Sequence, residues 1–97
     1  MTDVDPVDDD VDANTKPAAN ATEVLEYLVR NVVDEPDGVE VHVDDQRASR
    51  VQLNVHVAPG DMGRVIGRRG RVANAIRTVV RAAAVRDGVD VDVEFVD

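Results

Sequence analysis

The 97-residue chain reads as an α+β protein with the element order α-β-β-α-α-β. Three observations predict it. Valines alternate with polar residues in three separate stretches, larger apolar residues recur at helical spacing in two others, and Gly- and Pro-containing turns separate them.

The first helix is expected from Ala21 to Val33, where Leu25, Leu28, Val29 and Val32 repeat at helical spacing beside Val24. Asn20 stands three residues before Glu23, the arrangement of a capping box. Asp34-Glu35-Pro36-Asp37-Gly38 ends the pattern, because proline cannot continue the helix and Asp-Gly favours a turn. Val39, Val41 and Val43 then alternate with Glu40, His42 and Asp44, and Val51, Leu53, Val55 and Val57 with Gln52, Asn54 and His56. This period of two marks half-buried antiparallel strands, with the polar stretch 44–50 as their hairpin connection. Pro59 suits the first position of a short helix running to Ile66. After Gly67-Arg68-Arg69-Gly70, a long helix is expected to turn Val72, Ala75, Ile76, Val79, Val80 and Ala83 inward, with Asn74, Arg77, Thr78 and Arg81 opposite. Asp87-Gly88 closes it as a glycine cap. Val89, Val91, Val93 and Phe95 form the inner side of a last strand.

Ahead of these elements, residues 1–20 carry six aspartates and one lysine with few large apolar groups, the composition of a disordered acidic tail. The expected domain is therefore 21–97. A solubilising role is the ordinary reading of such a tail; a sharper one has its aspartates fold onto the arginines of 64–71 and compete with an anionic ligand, an effect that salt would screen.

Composition excludes several classes. Without cysteine there is no disulfide framework or thiolate metal site. No apolar run reaches the length of a membrane span, and the acidic N-terminus is unlike a secretory signal. A cytoplasmic protein is expected. No nucleotide-binding loop of the Gly-x-x-x-x-Gly-Lys kind is present. The only serine, Ser49, lies in a loop without a spaced His and carboxylate, so no enzyme is expected. His42 and His56 share the polar parity of adjacent strands, but no third and fourth ligand converge on them, so neither metal nor other cofactor is expected.

The charge is unevenly placed. The net charge is −9, yet segment 61–86 carries +6, with seven arginines against the single Asp61. Four of these, Arg64, Arg68, Arg69 and Arg71, lie in and around Gly67-Arg68-Arg69-Gly70. Glycines there permit positive φ and close approach of a polyanion. The helix that starts at Arg71 directs its N-terminal dipole at the turn. Arginine adds bidentate phosphate recognition. Such a bend is suited to holding consecutive phosphates.

Val65-Ile66-Gly67-Arg68-Arg69-Gly70, followed by Ile76 in the next helix, resembles the signature loop of KH domains. The element order is similar to the type II arrangement, which implies a three-stranded sheet with three helices packed on one face. The segment Val57 to Gly67 and the opening Glu26-Tyr27-Leu28-Val29 resemble more narrowly the KhpA-type small bacterial single-KH RNA-binding proteins. The resemblance covers roughly Ala21 to Val96.

It implies that about four unpaired nucleotides of single-stranded RNA lie in a groove against the loop. Gly67 and Gly70 would shape that loop, Arg68 and Arg69 would contact phosphate or sugar, Ile66 and Val72 would floor the groove, and Arg64, Arg71 and Asn74 would line its rim. Ile66 and Val72 equally suit the core. Tyr27 and Phe95 are both expected to be buried, which leaves no exposed aromatic platform of the kind RRM and cold-shock modules use. The resemblance further implies a homodimer or pairing with a KhpB-type multidomain KH protein, action as an RNA chaperone or post-transcriptional regulator, and a role in cell elongation and envelope homeostasis. The alternative is a KH-fold interaction or dimerisation module whose partner carries most of the RNA binding. A ribosome-associated role is a third reading.

Overall fold

The computed structural model describes residues 18–47 and 49–96. The elements are α1 (Ala19–Val32), β1 (Glu40–Arg47), β2 (Arg50–His56), α2 (Met62–Ile66), α3 (Arg71–Ala84) and β3 (Asp90–Val96). Short 3-10 turns occupy Pro36–Gly38, Arg68–Gly70 and Val85–Asp87. The order is the expected α-β-β-α-α-β. Of the acidic tail expected over residues 1–20, residues 1–17 lie outside the described residues, whereas Ala18, Ala19 and Asn20 are described and form the start of α1.

The strands form one sheet in the order β1-β2-β3. β1 and β2 are antiparallel, with Val41 opposite Val55 and Val43 opposite Leu53. They run further into the polar connection than the sequence predicts, leaving two residues between them. β3 lies parallel to β2, pairing Val51 with Val91 and Leu53 with Val93. A parallel partner requires a crossover, and α2 and α3 supply it across one sheet face. The core joins Leu25 and Val29 of α1, Val51, Leu53 and Val55 of β2, Val65 of α2, Ile76 and Val80 of α3, and Val91 and Val93 of β3. Each such side chain contributes about 1.5–3 kcal/mol on burial. The central strand β2 is therefore the most deeply covered, and β1 emerges from the core toward Val43, which is exposed.

Helix α1 starts at Ala19, and Ala18 is fully buried in left-handed conformation at its N-cap. Asn20 is inside the helix and caps nothing. The cap comes instead from the far end of the chain: the Asp87 carboxylate accepts hydrogen bonds from the backbone N–H of Asn20 at 3.0 Å and of Ala21 at 2.9 Å. A carboxylate satisfies both the orphan donors and the positive helix end. The turn that follows α1 is also held by a carboxylate distant in sequence. Buried Asp61 accepts from the backbone N–H groups of Asp34 and Glu35 at 3.2 and 3.1 Å.

Two other expectations need correction. Pro59 sits in an exposed turn, and α2 starts only at Met62. In α3 Ile76 and Val80 are buried as expected, but the buried stripe continues through Ala73 and Ala84 rather than through Ala75 and Val79. Ala75 and Val79 face solvent, because α1 and the sheet cover the adjacent stripe. Gly88 does adopt the left-handed conformation expected of a closing glycine, after the 3-10 turn Val85–Asp87.

Candidate nucleic-acid interface

The glycine-bounded bend joins α2 to α3 at the surface. Gly67 terminates α2 with φ 75° and ψ 177°, and Gly70 precedes α3 with φ 74° and ψ 15°. Gly67 is required for a second reason: a Cβ there would lie 2.4 Å from Val72 Cγ2. Between the glycines, Arg69 also holds a left-handed conformation, at φ 58° and ψ 26°. A non-glycine residue adopts it at a cost of about 1–2 kcal/mol. The amides of Gly67 and Gly70 are used within the bend, donating to Gly63 O and Gly67 O. Cationic side chains therefore dominate what these glycines present outward.

Arg68, Arg69 and Arg71 are exposed, and none makes an ion pair with a described residue. Among the described residues no side chain caps α3, and no acid stands in its first turn. The positive charge of the bend is uncompensated among the described residues.

Arg64 differs. Its Nη2 lies 2.9 Å from Asp34 Oδ2 and its Nε 3.7 Å from Asp61 Oδ1. It braces the end of α1 against the start of α2 while remaining half exposed. Ile66 and Val72 are partly buried and pack against the core, so their contact with the domain interior is established whatever else they touch.

Asn74 connects the bend to a second feature that the spacing does not reveal. An open groove of about 560 Å³ runs between α3 and the free edge of β3, lined by Gln52, Asn74, Arg77, Thr78, Arg81 and β3 residues 92–94. Asn74 Oδ1 accepts from Arg77 Nη1 at 3.2 Å. Arg77 Nε in turn donates to Val93 O at 3.1 Å, and the guanidinium carbon stands 5.4 Å from the centroid of the Phe95 ring. The sequence places Arg77, Thr78 and Arg81 merely on the polar side of the helix. Their signal is the i, i+3, i+4 spacing that continues from Asn74 along the same side.

Tyr27 is 68% exposed and corrects the expectation of burial; it does not line the groove. Phe95 is partly buried. On the outer sheet surface His42 and His56 meet edge to face at 5.1 Å, and His42 Nε2 lies 3.2 Å from Glu40 Oε1. Among the described residues no three His, Asp or Glu side chains are grouped to hold a metal ion, and no helix is long and apolar enough to cross a membrane.

An α-β-β-α-α-β chain with one parallel strand pair and a glycine-bounded bend between its second and third helices is a KH domain of the type II arrangement. Comparison with known proteins narrows this. The model of the KhpA/KhpB KH-domain family matches residues 22–95. The RNA-binding protein KhpA of Streptomyces coelicolor is 53% identical over 75 residues, spanning 77% of this chain and 92% of the relative. Those of Mycobacterium bovis and Clostridium perfringens are 45% identical over 80 residues and 43% over 75, covering 98% and 97% of the relatives and 82% and 76% of this chain. The chain belongs to the KhpA/KhpB KH-domain family. This is a family of non-enzymatic KH domains, in keeping with the absence of a catalytic constellation in the sequence.

Proposed function

We propose that the chain is a non-catalytic RNA-binding protein that holds about four unpaired nucleotides, phosphates against the Gly67–Gly70 bend and bases along the α3–β3 groove. The carrying observation is the cluster of Arg68, Arg69 and Arg71, exposed and without a carboxylate partner among the described residues, at the start of α3. Asn74 links that cluster to the groove, so one strand passes over both. Arg64, Ile66 and Val72 belong to the same site mainly as its frame: they set the bend on the core while their exposed parts border the strand. The relatives named above are RNA-binding proteins, which supports the ligand class.

The setting that suits this activity is the cytoplasm, where the protein acts as an RNA chaperone or post-transcriptional regulator. A single groove touches few nucleotides, so affinity near micromolar is expected. Coupling to a second RNA-binding copy or to a KhpB-type partner raises it without new interactions with each strand.

The test is charge reversal. The double variant Arg68→Asp/Arg69→Asp, checked for native circular dichroism, is titrated with short unstructured RNAs by fluorescence anisotropy at several salt concentrations. Affinity should fall, and the slope of log K against log salt should flatten by roughly 0.7 for each phosphate that is no longer neutralised. An unchanged affinity and slope overturns the reading.

A second reading, in which assembly is the principal task, draws on one observation. Ala75, Val79 and Ala82 form an exposed apolar stripe on α3, and Val85 beyond it is 77% exposed. On this reading a second copy covers the stripe, and RNA is held mainly by the partner.

A further inference from the structure

The RNA-binding reading does not say which bases the groove takes, and Arg77 supplies a reason for it to choose. β3 is an edge strand, so part of its backbone polarity faces away from β2 and would be available to a ligand. At Val93 that availability is altered. Arg77 Nε binds the Val93 carbonyl at 3.1 Å, replacing an acceptor on the groove wall with a cation bearing donors. Asn74 Oδ1 holds Nη1, and the Phe95 ring lies against the guanidinium, so the group is fixed from three directions. These bonds use one hydrogen on Nε and one on Nη1. The remaining hydrogens of Nη1 and Nη2 suffice for a two-pronged contact.

The surroundings favour a base over a phosphate as the partner of this fork. Glu94 belongs to the opposite wall of the groove and its carboxylate disfavours a phosphate brought beside Arg77, whereas the Asp92 carboxylate is taken up by Arg50 at 3.2 Å. Arg68, Arg69 and Arg71, without carboxylate neighbours, are the better phosphate ligands. A planar donor pair facing Glu94 instead matches a neutral ring edge carrying two adjacent acceptors. Guanine offers O6 and N7, and cytosine offers O2 and N3. Adenine places its amino donor beside both N1 and N7, and uracil separates its two carbonyls with an N–H.

The geometry points to Arg77 as a base-selecting residue that makes the groove prefer guanine or cytosine over adenine and uracil at one nucleotide position. The inference rests on the RNA-binding reading above and concerns only the choice of base.

The test uses the full chain and four uracil-flanked heptamers that differ only in their central nucleotide, titrated by fluorescence anisotropy at fixed salt. The wild-type protein should bind the guanine and cytosine strands more tightly than the adenine and uracil strands by roughly tenfold. Arg77→Ala should bring the four affinities together. Arg77→Lys keeps the charge without the fork and should also lose the discrimination, while losing less total affinity than Arg77→Ala. Thermal melts establish that both variants fold.

Two results overturn the inference. One is equal binding of all four strands by the wild type. The other is a uniform loss in Arg77→Ala with a salt slope lower by about 0.7, which identifies Arg77 as a phosphate ligand. Either leaves RNA binding itself intact, whereas failure of the wild type to bind any strand removes the RNA-binding reading.

Discussion

Val72 occupies the space that a side chain on Gly67 would need: an ideal Cβ at Gly67 would lie 2.4 Å from Val72 Cγ2 and 2.9 Å from its backbone nitrogen. The end of α2 is thus pressed against the start of α3, and the sharpness of the bend that carries the arginines follows from that contact. Gly67→Ala combines overpacking with a positive φ and should cost about 2–4 kcal/mol. Gly70 has a similar φ, but a Cβ there would meet nothing closer than Asn74 Nδ2 at 4.0 Å. Gly70→Ala should therefore cost only about 1 kcal/mol. Thermal melts order the two, at about 4–8 °C per kcal/mol for a domain of this size. Equal losses would mean that the contact with Val72 has no weight.

Arg69 is held in the left-handed region at the tip of the bend, where its side chain is exposed and makes no bond to a described residue. On the proposed reading, that strain is retained for contact with the RNA. Arg69→Gly should raise stability by about 0.5–1 kcal/mol, since glycine adopts this conformation without the steric cost. The same change should weaken RNA binding and lower its salt dependence. A variant that gains stability and keeps full affinity would show that Arg69 contacts nothing.

Asp87 ties the two ends of the domain together by accepting from Asn20 and Ala21 at the first turn of α1. Asp87→Ala should cost about 1–2 kcal/mol through loss of this cap, and Asp87→Asn should recover part of it by keeping an acceptor. Hydrogen exchange gives the more specific readout: protection should fall first at residues 20–22. If Asp87→Ala melts like the wild type, the long-range cap contributes nothing.

That cap also marks where the sequence stops being informative. The strands are legible because valine alternation has a period that only a half-buried strand satisfies, and Leu53 and Val93 are buried as it requires. The bend is legible because Gly67 and Gly70 fall between two helical patterns. The face of α3 is not. Apolar residues at 72, 73, 75, 76, 79, 80 and 82–84 cover more than half its circumference, so side-chain size alone favours Val79, while packing against α1 selects the small Ala73 and Ala84. Local spacing likewise suggests Asn20 as the cap, because an acceptor 67 residues away leaves no periodic trace. The groove is invisible for a related reason: Arg77 becomes a wall only once β3 lies parallel to β2 and brings Val93 beside it.

The exposed stripe on α3 gives the last prediction. Val79 is 48% exposed with Ala75 and Ala82 beside it, although the helix has ample polar residues to place there. Val79→Glu changes a surface position, so the isolated fold should lose no more than about 0.5 kcal/mol. A charge placed against its own symmetry mate, however, would be both desolvated and repelled. If two copies associate through α3, light scattering should report about twice the chain mass for the wild type and the single-chain mass for Val79→Glu. RNA affinity measured at low protein concentration should change little, whereas the gain from linked sites at high concentration should disappear. A single-chain mass for the wild type at all concentrations would remove the second copy as the occupant of this stripe.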